Sequence, residues 1–107
     1  MESKITFHVK LDGDRIPEKI SWSASDSGLE GTRPCHASMI CIWDPKDHTT
    51  LRIDLWTKDM LVDDMKRFFY ENFMSLADTY MRSTNDEEGA AEIGKFAEAF
   101  GKKVKAI

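Results

Sequence analysis

Residues 50–69, TLRIDLWTKDMLVDDMKRFF, change from one hydrophobic period to another within a few positions. Leu51, Ile53 and Leu55 alternate with Arg52 and Asp54, the two-residue period of a half-buried strand. Val62, Met65 and Phe69 then recur at helical spacing. Strand patterns lie before this switch and helical patterns after it. The chain is therefore expected to be α+β, with an antiparallel sheet built first and helices following.

Three strands are expected upstream of the fourth, which covers 50–57. Ile5, Phe7, Val9 and Leu11 alternate with Thr6, His8 and Lys10, and Asp12, Gly13 and Asp14 end that run with a turn. Ile20, Trp22 and Ala24 alternate with Ser21 and Ser23. Residues 25–34, with Gly28, Gly31 and Pro34, read as a loop. The third strand covers 37–43, and Pro45 presets the connection over 44–48.

A first helix is expected over 61–82, capped by Asp59, with Asp63 and Asp64 in its first turn. Val62, Met65, Phe69, Phe73, Leu76 and Tyr80 form its apolar stripe. Thr84 and Glu87 fit a capping box opening a second helix. Its seam is Ala90, Ile93, Ala97, Phe100, Val104 and Ile107. Gly89, Gly94 and Gly101 each weaken that helix by roughly 1 kcal/mol relative to Ala. The expected whole is one domain over 1–107: a four-stranded antiparallel sheet followed by two helices packed on one sheet face. A helix over 61–82 is about 33 Å long against about 25 Å for a strand. Tyr80 and Met81 then lie in an overhang that the other helix or a second subunit would cover.

The third strand is apolar on both faces. Met39, Cys41 and Trp43 share one face, Ile40 and Ile42 the other. In the fourth strand the polar face of Arg52 and Asp54 ends in Trp56. If helices cover the Leu51, Ile53 and Leu55 face, then Ile40, Ile42 and Trp56 stand on the uncovered one. Leaving them exposed forgoes roughly 1.5–3 kcal/mol for each aliphatic side chain. Such a patch marks an interface or ligand groove, unless the 25–34 loop or the second helix covers it. The candidate interaction residues are Ile40, Ile42, Arg52, Asp54, Trp56, Tyr80 and Met81.

A net charge of −4 argues against nucleic acid or an anionic membrane as partner. Lys102, Lys103 and Lys105 read as a helix C-terminus complementing the macrodipole. No apolar run approaches the roughly 20 residues that span a bilayer. Met1 to Lys4 lead directly into a strand, so a cytoplasmic location is expected, with Cys35 and Cys41 as thiols. Cys35, His36 and Cys41 lack the two short-spaced ligand pairs of structural zinc. No nucleophile–base motif or phosphate-cradling glycine pattern is present, so neither catalysis nor a cofactor is expected.

Two segments carry a resemblance: IPEKISWSASD at 16–26 and the strand-to-helix stretch at 50–69, which contains LRIDLWTKDM. Together they resemble the gliding-motility-associated GldC family of Bacteroidota, and the likeness extends over nearly the whole chain. Leu61 departs from a proline that opens this helix in relatives, and the two cysteines lie outside the shared pattern. The resemblance implies a small non-enzymatic accessory protein of gliding motility, linked to type IX secretion and acting through protein–protein contact. It implies the lipoprotein GldB as a partner to consider. A homo-oligomer, dimer or tetramer, is expected as well. Four strands followed by two helices also resemble the export chaperone SecB in topology, which would imply a holdase for unfolded or exported chains. That is likeness of fold alone.

Overall fold

A computed structural model describes residues 1–28 and 30–107. The chain divides into two compact units, Met1–Met60 and Leu61–Ile107.

The first unit contains all the strands. β1 (Ile5–Leu11) and β2 (Pro17–Ala24) pair antiparallel, with Phe7 opposite Trp22 and Val9 opposite Ile20. Residues directly opposite share a face, so Ile5, Phe7, Val9, Ile20, Trp22 and Ala24 form one apolar side. Asp12 shapes the β1–β2 turn: its Oδ1 accepts from the amides of Asp14 (2.8 Å) and Ile16 (3.0 Å). β3 (Arg33–Cys35) adds to the other edge of β2, placing Cys35 opposite Ile20. Among the described residues of this unit, Ile20 is the buried apolar side chain.

The expected four-stranded sheet is replaced by two smaller ones. β1, β2 and β3 make a three-stranded sheet; β4 (Ala37–Asp44) and β5 (Thr49–Trp56) make a two-stranded one. The cause is a bend at His36. The chain pairs with β2 before it and with β5 after it, so one extended run serves two sheets. The His36 carbonyl accepts from the Thr57 amide at 2.9 Å, which closes the end of the β4–β5 ribbon. Part of the expected 25–34 loop is thus strand. Pro34 is tolerated there because β3 is an edge strand, where a missing donor breaks no ladder.

The second unit is a helical hairpin. α1 (Val62–Thr84) starts from Leu61, which makes no side-chain cap bond; the expected cap, Asp59, lies two residues earlier. The Asp59 amide instead donates to Thr57 Oγ1 in the preceding turn. α1 ends on Asn85 in the left-handed region (φ 58°), whose amide donates to the Met81 carbonyl. α2 (Glu87–Lys103) is capped by Asp86, not by the Thr84–Glu87 box: Asp86 Oδ1 accepts from the Gly89 amide at 3.0 Å. Thr84 serves the connection, accepting from the Asp86 amide and donating to the Tyr80 carbonyl. Ala97 and Gly101 are buried.

Two tyrosine–glycine contacts fix how α1 and α2 meet. A Cβ on Gly101 would stand 2.6 Å from Tyr70 Cδ1, and one on Gly89 would stand 2.7 Å from Tyr80 Cε2. Each ring lies where any larger residue would put its Cβ. These glycines permit close packing, and their propensity cost is set against that contact.

Candidate interaction surface

The β4–β5 hairpin brings most of the candidate residues together, but on different faces. Its register pairs Ile40 with Ile53, Ile42 with Leu51 and Ser38 with Leu55. One face is therefore aliphatic: Ile40, Ile42, Leu51, Ile53 and Leu55. Cys41 pairs with Arg52, Met39 with Asp54, Trp43 with Thr50 and Ala37 with Trp56. The other face therefore holds Met39, Cys41, Trp43, Arg52, Asp54 and Trp56. This corrects the expected grouping: Ile40 and Ile42 do not share a face with Trp56. They stand with Leu51 and Ile53, which are half-exposed in this unit.

Trp43 and Trp56 occupy opposite ends of one face and are 59% and 56% exposed. Trp43 is not among the contact residues expected from the sequence. Its ring meets His48 edge-on at 6.2 Å, and His48 closes the turn with φ 51°. Between the tryptophans, Arg52 grips Asp54 two residues along the same face. Nε donates to Oδ2 at 3.1 Å and Nη2 to Oδ1 at 2.9 Å. That hydrogen-bonded carboxylate, first through the bond and then through its charge, raises the Arg52 pKa further above its ordinary value. The third guanidinium nitrogen, Nη1, points to Cys41 Sγ. The pair is exposed on both sides, so it orients these side chains more than it stabilises the fold.

The cysteines are engaged separately. Cys35 Sγ lies 3.3 Å from Ser38 Oγ, while Cys41 meets Arg52. Among the described residues no three His, Cys, Asp or Glu side chains are grouped to hold a metal ion.

On the helical hairpin, Tyr80 and Met81 are each half-buried. Tyr80 holds the two helices together: its hydroxyl donates to Asp86 Oδ2 at 2.7 Å while its ring faces Gly89. Asp86 thus joins the helix cap to the preceding helix. The Gly89 amide, then the Tyr80 hydroxyl, lower the Asp86 pKa; the bond to Asp86 in turn raises that of Tyr80. The more exposed apolar group here is aromatic. Phe73 meets Phe96 and Phe100 edge-on at 5.2 and 5.1 Å, and Phe96 is 55% exposed. The seam expected for α2 omits Phe96. Its four-residue spacing from Phe100, which places both on one helix face, is the signal that marks it.

The sequence profile described as gliding motility-associated protein GldC-like matches residues 17–106. The chain belongs to this family. No curated protein and no solved structure matches it. The likeness to SecB rests on a single four-stranded sheet, which two smaller sheets replace. No helix among the described residues is long and apolar enough to cross a membrane.

Proposed function

We propose that this GldC-like chain serves gliding motility as a non-enzymatic accessory protein in the cytoplasm, binding another protein through the β4–β5 hairpin. The family is associated with gliding motility; contact is the mechanism its surface supports best. The observation that carries the reading is the hairpin face bounded by Trp43 and Trp56, both more than half exposed and separated by the Arg52–Asp54 pair. Large exposed aromatic side chains forgo burial, and tryptophan with arginine is the composition of energetically dominant contact sites. Aromatic anchors would supply affinity and the ion pair would set orientation. Proteins of the gliding or type IX secretion machinery, including the lipoprotein GldB, are the partners to test first.

The test is chromosomal Trp56→Ala and Trp43→Ala in a gliding cell. Colony spreading would be scored, alongside capture of gliding proteins on the tagged chain. Expected are normal protein level and circular dichroism, with loss of spreading and of the captured partner. Unchanged spreading and capture in the double variant would overturn the reading.

A further inference from the structure

β5 is complementary to itself. Set antiparallel to a second copy with Ile53 facing Ile53, it places Leu51 opposite Leu55 and Arg52 opposite Asp54. Each strand then meets an opposite charge at both charged positions and an aliphatic side chain at Leu51, Ile53 and Leu55, with Thr50 opposite Trp56 at the ends. Cross-strand pairs of these kinds stabilise a sheet, and like charges in the same places would oppose it. The Arg52–Asp54 pair already lies on one face of β5, so two copies would form an alternating cluster of four charges.

Among the described residues of its own unit the strand is hydrogen-bonded along one edge only; β2 approaches it without pairing. β5 pairs with β4 on one side and with no other strand among the described residues. Its eight residues contain no proline and no lysine, and its register with β4 runs without a bulge from Thr49 to Trp56. Proline, lysine and bulges normally protect an edge, as do other charges; the two charges of this strand, Arg52 and Asp54, are the ones that a second copy would match. A two-stranded ribbon is marginal in water and gains from further strands. β4 has an open edge too, but its one charged residue, Asp44, has no opposite charge on that strand to meet.

We propose that two copies of this chain join by antiparallel pairing of β5 with β5 across a two-fold axis at Ile53, giving a four-stranded sheet in the order β4, β5, β5, β4. The symmetry is isologous: the same edge serves both subunits. The aliphatic faces of the two hairpins merge, because residues directly opposite share a face. The inference deepens the contact reading and rests on it only in treating the hairpin as an interaction surface. A monomer in solution overturns the pairing alone, whereas partner capture is decided by the tryptophan variants.

The experiment is light scattering after size exclusion. Wild type is expected at twice the 12.3 kDa chain mass. Arg52→Glu faces Asp54 of the second copy, and Asp54→Arg faces its Arg52, so each variant alone is expected as a folded monomer by circular dichroism. An equimolar mixture restores both opposite-charge pairs and is expected to return to dimer mass. In a background of Cys35→Ser and Cys41→Ser, Ile53→Cys is expected to cross-link to itself on mild oxidation. Leu51→Cys, which faces Leu55, is not. A monomeric wild type, single variants that stay dimeric, a mixture of folded single variants that stays monomeric, or Leu51→Cys linking as readily as Ile53→Cys each overturn the proposal. If a single variant unfolds, the cysteine pair decides.

Discussion

Gly94 and Gly101 lie in the same helix, yet alanine is expected to act oppositely at the two. At Gly94 an added Cβ meets no atom within 4 Å, so only backbone propensity counts. Gly94→Ala should stabilise by about 1 kcal/mol. At Gly101 the same gain is offset by a Cβ at 2.6 and 2.8 Å from two Tyr70 ring carbons and 3.1 Å from Ile107 Cγ1. Overpacking of this kind costs about 1–3 kcal/mol. The net effect of Gly101→Ala is then roughly zero to 2 kcal/mol destabilising, which puts the two variants about 1–3 kcal/mol apart. For a chain of this size each kcal/mol is roughly 4–8 °C in Tm, so thermal melts of the full chain followed by helical circular dichroism resolve the gap. Tyr70→Ala supplies the control: with the ring removed, Gly101→Ala should become stabilising, and the coupling appears in the double-mutant cycle. Equal stabilisation by Gly94→Ala and Gly101→Ala would refute the claim that the Tyr70 contact sets the helix packing.

Other expectations follow from the helix ends and the aromatic cluster. The Asp86 pKa is lowered in the fold, so its contribution is complete above the ordinary carboxylate value of about 4 and is lost as pH falls through the folded value. Asp86→Asn keeps a capping acceptor and should flatten the acid limb of Tm against pH while leaving neutral pH nearly unchanged. Lys105 follows α2 at φ 63°, with its amide on the Lys102 carbonyl and that of Ala106 on the Gly101 carbonyl, an arrangement that favours glycine. Lys105→Gly should stabilise by about 1 kcal/mol in urea denaturation. Phe73→Ala removes the hub of the ring cluster and should cost about 2–3 kcal/mol, below the fully buried range because Phe73 is only half-buried. Phe96→Ala, at an exposed site, should cost clearly less than Phe73→Ala in the same melt.

Hydrophobic period places most of these elements, because it records which side of an element meets apolar surroundings. The strand-to-helix switch after Trp56 and both helices are legible in this way. Two features are not. β3 is hidden because Gly28, Gly31 and Pro34 are loop-forming residues by composition, and only the pairing with Ile20–Trp22 makes 33–35 a strand. The cap of α2 is displaced by two residues from its expected position because Thr84 and Asp86 are both good capping residues. The hydroxyl of Tyr80 and the amide of Gly89 converge on Asp86, and that convergence is a tertiary fact.

The grouping of the interaction residues differs for another reason. Alternation says which residues share a face within one strand, but not which face of the next strand joins them. That is set by register, and a slip of one residue exchanges the faces. Here the four-residue connection 45–48 pairs Asp44 with Thr49, which carries Ile42 onto Leu51 and Ile40 onto Ile53. Asp44 Oδ1 holds the turn by accepting from the Lys46 amide at 3.0 Å. The connection expected from the sequence, 44–48, leaves that register open; the observed pairing of Asp44 with Thr49 and the Asp44 acceptor separate the aliphatic and tryptophan faces. The separation matters for function. Pairing along the β5 edge consumes neither face, so a self-paired sheet would present two tryptophan faces on the same side. A partner carrying two matching sites, or present in two copies, would then bind through both, with an avidity neither face supplies alone.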